Sequence, residues 1–492
     1  MYRIVCLAFY LSFLFQNVLI SQEHKTFTTS IPDIEFISST FLGNKYRNYY
    51  GNTAPEKLDI IWKFHLGSGT TADPHNKNKP KKMYGAGWTG QAATLRQDSN
   101  FYLIQPSFSH KLFKINAANG NKIWEYSFDD ILKGSPTLWH NNYTWDKNRI
   151  LIFQGSRRGV NKNIFAPTIH SLRAIDFITG EPVWYYNVKK SSCYSRDVDA
   201  SPLVIQDTLY APLENGYMLI ADPRPACAKK TNGKYEPEQF ASIKTFTNED
   251  AIRHNNNVVL EASPTAFNNH VFTVSGSGWI KGYNRTKDSI DWCFYTGSDM
   301  DGTPVVTKDS AMLFTLEKQY IPGKGGIFKI DPNKPPEKSV LWYFPVQDTN
   351  FVVWEGGIIG SAAINDSYIS TNDQHLAAVV ALDGYLYVFN HEFTSGDSVW
   401  GPMKKNKYPT PELVYKHYVG PSIATPVFTN DKLLVPGYYG LYLFSYDDKC
   451  LFTLEDKFKG TFESTPVVLN GKAYIASRDG YFYCFGKKHA GK

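Results

Sequence analysis

The chain has 492 residues, a formal net charge of +6 from 52 basic and 46 acidic side chains, and 42% hydrophobic residues, enough for a large core. Charges of both signs are interspersed and no Lys/Arg run or basic stripe stands out, which argues against nucleic acid as a partner. Aromatic residues reach 15%, with 32 Tyr and 32 Phe, a bias toward strands.

At the N-terminus, Arg3 precedes the apolar run Ile4–Phe15; Gln16 and Asn17 interrupt it before Val18–Ile20, and Ser21–Glu23 turn polar. Residues 1–21 therefore read as a secretory signal peptide, with an uncleaved anchor as the alternative, and the run is short for a membrane span. With no second apolar stretch of membrane length, the mature chain is expected outside the cytoplasm, periplasmic, in the outer envelope or secreted. Residues 22–57 are expected to form an extension outside the main fold. Five cysteines follow the signal segment, Cys193, Cys227, Cys293, Cys450 and Cys484, an odd number for an oxidising compartment. Cys193 and Cys227 flank one repeat unit and could bridge it. The absence of a C-x-x-C pair or Cys/His cluster in the sequence speaks against zinc.

Leu58–Phe64 is the first strand-like segment; it carries Trp62 and no hairpin precedes it. From residue 87 onward the chain repeats itself. A small residue followed by Pro recurs as Ser135-Pro136, Ser201-Pro202, Ser263-Pro264, Thr303-Pro304, Thr425-Pro426 and Thr465-Pro466; Gly87–Gln91 is an atypical first copy and Ser361-Ala362 a degenerate one. That makes eight units. Proline lacks a donor and suits the first residue of a strand, so each signature is read as the start of an innermost strand. Downstream, five segments read as hairpins whose turns end in Gly216, Gly278, Gly384, Gly440 and Gly480, where positive φ is required. A third signature, a turn glycine four residues before a tryptophan, appears at Gly120/Trp124 and Gly180/Trp184, with looser copies at Trp292 and Trp342 and Tyr415 as a substitute. It predicts an outer strand whose indole wedges against the neighbouring unit. The eighth unit ends at Phe485 without an outer strand, and Leu58–Phe64 is the missing piece. Pairing the two ends would close a ring and remove an open sheet edge.

These three signatures together resemble the PQQ-like (quinoprotein-type) repeat family with its tryptophan-docking motifs. The resemblance implies an all-β fold, an eight-bladed PQQ-like β-propeller over residues 58–488 closed by an N-terminal strand. The family holds calcium- and quinone-dependent alcohol and sugar dehydrogenases and also non-catalytic propellers, such as the scaffold lipoprotein of the outer-membrane barrel-assembly machinery. Two functions follow: a non-catalytic binding or scaffold propeller, to which the chain is closer, or a PQQ- and Ca²⁺-dependent dehydrogenase.

Propeller ligands bind over the central channel, near the loops that enter the innermost strands. The residue two before each small-residue–Pro pair is Lys133, Asp199, Glu261, Asp301, Ile359, Ile423 and Glu463; Asp197, Asp299, Arg196, Trp354 and Glu355 lie close by in sequence. Carboxylates clustered at a mouth need a cation, a basic group or protons, unless each is capped by the amides of its own turn. The expected ligand-facing set is Asp199, Glu261, Asp301, Glu463, Arg196 and Trp354. In the dehydrogenase reading the resemblance places the catalytic base at Asp301, with Glu261 and Asp301 as calcium carboxylates. The chain departs from those enzymes in having no adjacent cysteine pair and no C-x-x-C-H haem motif, so no cofactor is expected. The partner is expected to be a protein, glycan or small molecule at the propeller face of a monomer. The insertions Cys227–Asn256 and His391–Pro411 are read as long polar loops.

Overall fold

In the computed structural model, which describes residues 33–72, 79–144, 148–369 and 374–488, the repeats form eight antiparallel blades. Residues 1–21, read as a signal peptide, lie outside the described residues. Blade 1 comprises Ala93–Gln97, Asn100–Pro106, Lys111–Asn116 and Lys122–Ser127; blade 2 comprises Thr137–His140, Ile150–Gly155, Leu172–Asp176 and Pro182–Tyr186. Blades 3 to 7 follow the same order, from innermost strands Leu203–Ile205, Thr265–Phe267, Val305–Val306, Ala363–Ile364 and Val427–Phe428. Blade 8 is Val467–Leu469, Lys472–Ala476 and Tyr481–Gly486, completed by Asp59–His65 from the other end of the chain. The expected clasp is therefore present, with Trp62 opposite Cys484.

The outermost pair of every blade carries a bulge at one place. Ile61, Ile123, Val183, Asp291, Leu341 and Val414 are each skipped in the register immediately before Trp62, Trp124, Trp184, Trp292, Trp342 and Tyr415. A bulge bends its strand and re-aims the next side chain, here toward the following blade. The indole Nε1 of Trp62 donates to Ala117 O, Trp124 to Phe177 O, Trp184 to Pro223 O, Trp292 to Lys334 O and Trp342 to His391 O, at 2.9–3.2 Å. The turn glycines receive these rings. A Cβ on Gly120 or Gly180 would stand 2.7 Å from the indole of Trp62 or Trp124, and both glycines have φ near +75°. The four-residue spacing thus records two contacts, the glycine accepting the previous blade's indole and the tryptophan passing one on. Burying one such indole stabilises by about 2–3 kcal/mol.

The small residue of the repeat signature has its own reason. Its hydroxyl accepts the backbone N–H of the equivalent residue one blade earlier: Ser135 from Gln91, Ser263 from Ser201, Thr303 from Ser263, Ser361 from Thr303 and Thr425 from Ser361, at 2.9–3.0 Å. This belt satisfies buried donors where adjacent innermost strands converge.

Of the segment 22–57, residues 22–32 lie outside the described residues, and residues 33–57 do not stand apart from the ring as expected. Ile34–Ser38 pairs antiparallel with Ala93–Gln97 as a fifth strand of blade 1. Residues 39–57 then cross the channel as a strap. Its backbone carbonyls and the Tyr50 hydroxyl accept from Leu138, Ala266, Val306, Ile364 and Val468, innermost-strand donors of blades 2, 4, 5, 6 and 8. Fully buried Arg47 donates to Pro264 O, Phe41 O, Ser201 O and Thr40 Oγ1. Phe41, Leu42, Tyr50 and Leu58 join the hydrophobic core. A strap of this kind supplies partners that the open inner edges of narrow blades would otherwise lack.

Both long insertions contain regular structure. Gln239–Lys244 is the outermost strand of blade 3, preceded by the small hairpin Lys229–Thr231/Lys234–Glu236 and followed by helix Asn248–Arg253. That helix is capped by Thr247 and Asp250 reciprocally. His391–Pro411 continues two strands of blade 6, Tyr385–Trp400 and Lys407–Tyr418, into an arm that lies on blade 5, where Tyr408 meets Phe328. The five cysteines named above are free thiols, Cys193 and Cys227 included.

Candidate functional site at the channel mouth

The loops entering the innermost strands gather at one end of the channel, and the residues there divide into two halves. The apolar half comes from blades 1, 6 and 7. Trp88 packs with Ile359, Leu382 and Ile423, and Phe351, Trp354 and Tyr438 cover that cluster. Phe351 and Trp354 sit on a short hairpin, Asp348–Phe351/Trp354–Gly356, which turns just before blade 6.

The acidic half comes from blades 3 to 5. Lys133 pairs with Asp199 and lies 3.7 Å from Glu261, and its Nζ is 5.2 Å from the centre of the Trp88 ring. Burial works against the ammonium, but Asp199 and Glu261 outweigh it and hold its pKa above the ordinary lysine value. Arg157 reaches Asp197 at 3.4 Å and is likewise held up, against burial, by Asp197, Asp199 and Glu214. Around these two cations stand Asp197, Asp199, Glu214, Glu261, Asp299, Asp301 and Glu317, with Asp130 and Arg158 beside Asp197 and Glu355 beside Glu317. Burial, with repulsion from Asp199 and Asp299, pushes Glu261 up to about 7 despite Lys133. Burial raises Asp299 to about 6, although Asn257 (2.6 Å) and the Met300 amide (2.8 Å) donate to it. Asp301, half-buried beside Asp299, Glu261 and Glu317, is pushed well above the carboxylate range, as are Glu214 and Glu317. Carboxyl groups held up in this way are ready to take a proton or an incoming cation.

Turn amides cap only some of these acids. Asp197 accepts the Arg158 amide and Asp299 the Met300 amide. Asp199 and Glu261 have Lys133 as their partner, one Asp199 oxygen accepts no hydrogen bond, and among the described residues Asp301 meets neighbouring charges rather than an amide donor. Asp199, Glu261 and Asp301 therefore share one electrostatic site. Glu463 belongs to the same mouth but is paired with Arg478 at 2.7 Å and borders the apolar half, beside the Tyr438 hydroxyl. Trp354 lies in that half.

Arg196 does not face the mouth. It is buried, and its guanidinium donates to Val188 O, Ile164 O and Ala166 O, pinning the loop of blade 2. Arg157 stands at the mouth instead. Neither it nor Glu214 nor Glu317 carries a repeat signature; Glu214 is distinguished only by its charge within the apolar strand Thr208–Leu213 and its turn.

The fit to calcium is poor. Oxygen ligands at 2.3–2.6 Å from one ion must lie close together, yet no three mouth carboxylates bring oxygens within 4.8 Å of one another among the described residues. Lys133 already supplies positive charge between Asp199 and Glu261. Two other groupings meet that distance, Asp366/His375/His391 and Asp222/Cys227/Glu238. In the first, His375 Nδ1 and His391 Nε2 both lie 2.8–3.0 Å from one Asp366 oxygen, and Lys329 Nζ stands 3.1 Å from His391 Nδ1. An ammonium donating to Nδ1 leaves the proton on Nε2, where a metal would have to bind. The trio lies in blade 6, and Lys329 and the Lys308 amide tie it to blade 5. In the second, both Asp222 oxygens are taken by Arg224.

A cavity of about 530 Å³ lies at the opposite end, between the strap and blades 2 and 3, lined by Phe36, Tyr46, Leu138, Trp139 and Leu203. It holds none of the clustered acids.

No protein-family profile matches the chain, and no curated protein matches it by sequence. Solved structures do. BamB from Moraxella catarrhalis superposes with a TM-score of 0.50 at 14% identity, covering 88% of this chain and 99% of that one. At this identity the likeness concerns the fold, and it agrees with the eight blades: the chain is an eight-bladed β-propeller.

Proposed function

We propose that this chain is a non-catalytic binding or scaffold propeller, exported to the cell envelope or the extracellular space, whose ligand sits over the channel mouth. The observation that carries the reading is the convergence of Asp199, Glu261 and Asp301 without turn-amide caps, beside an aromatic wall. A repeat-level structural role would give each acid its own amide donors. In this reading Asp301 is a ligand-binding group and not a catalytic base, and neither PQQ nor calcium takes part. The signal-like segment at residues 1–21 supports export, and among the described residues no helix is long and apolar enough to cross a membrane. The likeness to BamB is compatible with a protein-binding propeller.

Photo-crosslinking in the native host tests the reading. A photoactivatable residue at Tyr194, Val353 or Tyr439, all exposed on the mouth face, should give a discrete adduct, and one at exposed Ile178 on the opposite face should not. Adducts confined to Ile178 would move the site to the other end of the channel.

A further inference from the structure

We infer that the mouth face docks a polypeptide that inserts an arginine or lysine side chain into the acidic half while apolar residues beside it cover the rim. This rests on the mouth being the ligand site and narrows that reading to a cationic protein partner.

Charge complementarity is the first argument. The carboxyl groups outnumber the internal cations Lys133, Arg157 and Arg158, and Asp299, Asp301 and Glu317 have no ion-pair partner within 4.0 Å among the described residues. Buried acceptors are the second. One oxygen each of Asp199, Glu214 and Glu317 accepts no hydrogen bond, although these residues are only 1%, 3% and 4% exposed. Leaving such oxygens unpaired is costly, and a guanidinium or ammonium carries the several donors needed to serve them together. The chain itself displays the recognition mode: the Lys133 ammonium sits between Asp199 and Glu261 and over the Trp88 indole. A guest cation entering beside Asp301 would meet the same combination of carboxylate and aromatic wall.

The rim decides between a free cation and a side chain. Tyr194 and Tyr320 border the acids, and Val352 and Val353 form the tip of the Phe351/Trp354 hairpin. All four are exposed, Val352 by 75%. A charged anchor within an apolar rim is the layout of a protein–protein hot spot, and a small free cation would leave that rim uncovered.

The probe is a fluorescein-labelled octapeptide with two arginines among leucine and tryptophan, read by anisotropy on the full chain beside its glutamate counterpart and spermidine as competitor. The arginine peptide should bind at least about tenfold tighter than the glutamate peptide. Glu261→Gln/Asp301→Asn should weaken it by about tenfold or more, and spermidine should compete only weakly. Val352→Asp/Val353→Asp, placed on an exposed tip, provides a second readout should the mouth variant fold poorly, and it should also weaken the peptide. Equal binding of both peptides, or indifference to both double variants, would overturn the inference. Competition by spermidine as strong as by unlabelled peptide would overturn its polypeptide part. If the arginine peptide fails while mouth-face crosslinks still form, the mouth remains the ligand site and only its cationic guest is lost.

Discussion

At the residue scale the repeat is a set of small contracts between neighbouring blades. Trp184 is the most complete case: it is fully buried, stacks on Phe153 at 5.5 Å and donates to Pro223 O. Trp184→Ala should cost about 3–5 kcal/mol, measurable by denaturant unfolding. The D-G-Y-x-Y turns add a second contract. Asp383 and Asp479 accept the amide two residues on and also the hydroxyl of Tyr387 or Tyr483. The mouth acids give a pH dependence. Glu261 rises from 4.5 to about 7 and Asp299 from 3.8 to about 6, so the folded chain holds protons that the unfolded chain has released. Stability should therefore fall as pH rises through that window and be greater at pH 5 than at pH 8. For Glu261, Lys133 and Arg157 oppose the rise while Asp199 and Asp299 add to it; for Asp299, the Asn257 and Met300 hydrogen bonds oppose it. Toward acid the trend reverses at Asp366. Burial would raise it, but the His391 hydrogen bond holds it at about 2, below its ordinary 3.8, and that contribution is lost as pH falls through this range. Melting temperatures from pH 3 to pH 8 check both limbs, and Glu261→Gln/Asp299→Asn should flatten the alkaline one. The positions of Asp199, Glu261 and Asp301 were legible in the sequence because they share one offset from a repeated motif. Arg157 and Glu317 share none, and Arg196 is near the mouth in sequence while its side chain turns inward.

At the element scale the two N-terminal pieces behave differently as sequence. The clasp, Asp59–His65, was readable because it copies the outer-strand pattern, bulge and tryptophan included. The strap was not, because its partners are backbone groups of other blades and such pairings impose no side-chain period. The same reasoning explains the outer strand of blade 3. Ala241 stands where other blades place tryptophan, so the strand was hidden in an apparent loop. Arg47 is the strap's fixed point. Arg47→Met should leave several buried acceptors unpaired at about 1–3 kcal/mol each, seen as a lowered unfolding midpoint and faster amide exchange at Leu138, Ala266 and Val306.

At the scale of the whole molecule, closing the ring leaves no free blade edge at the seam, and the strap fills the channel from one side while Trp88 narrows it from the other. What remains open is the mouth, acidic on one side and aromatic on the other. Ring, blade number and closure follow from repetition, which a sequence displays directly. The ligand depends on how side chains from separate blades meet across the channel, and only the folded chain shows that. Native mass spectrometry of protein purified from its own host, beside the Asp199→Asn/Glu261→Gln/Asp301→Asn variant, tests the central claim most directly. The wild type should carry a polypeptide or organic ligand that the variant lacks. A wild type carrying a quinone with calcium, or identical spectra from both proteins, would contradict it.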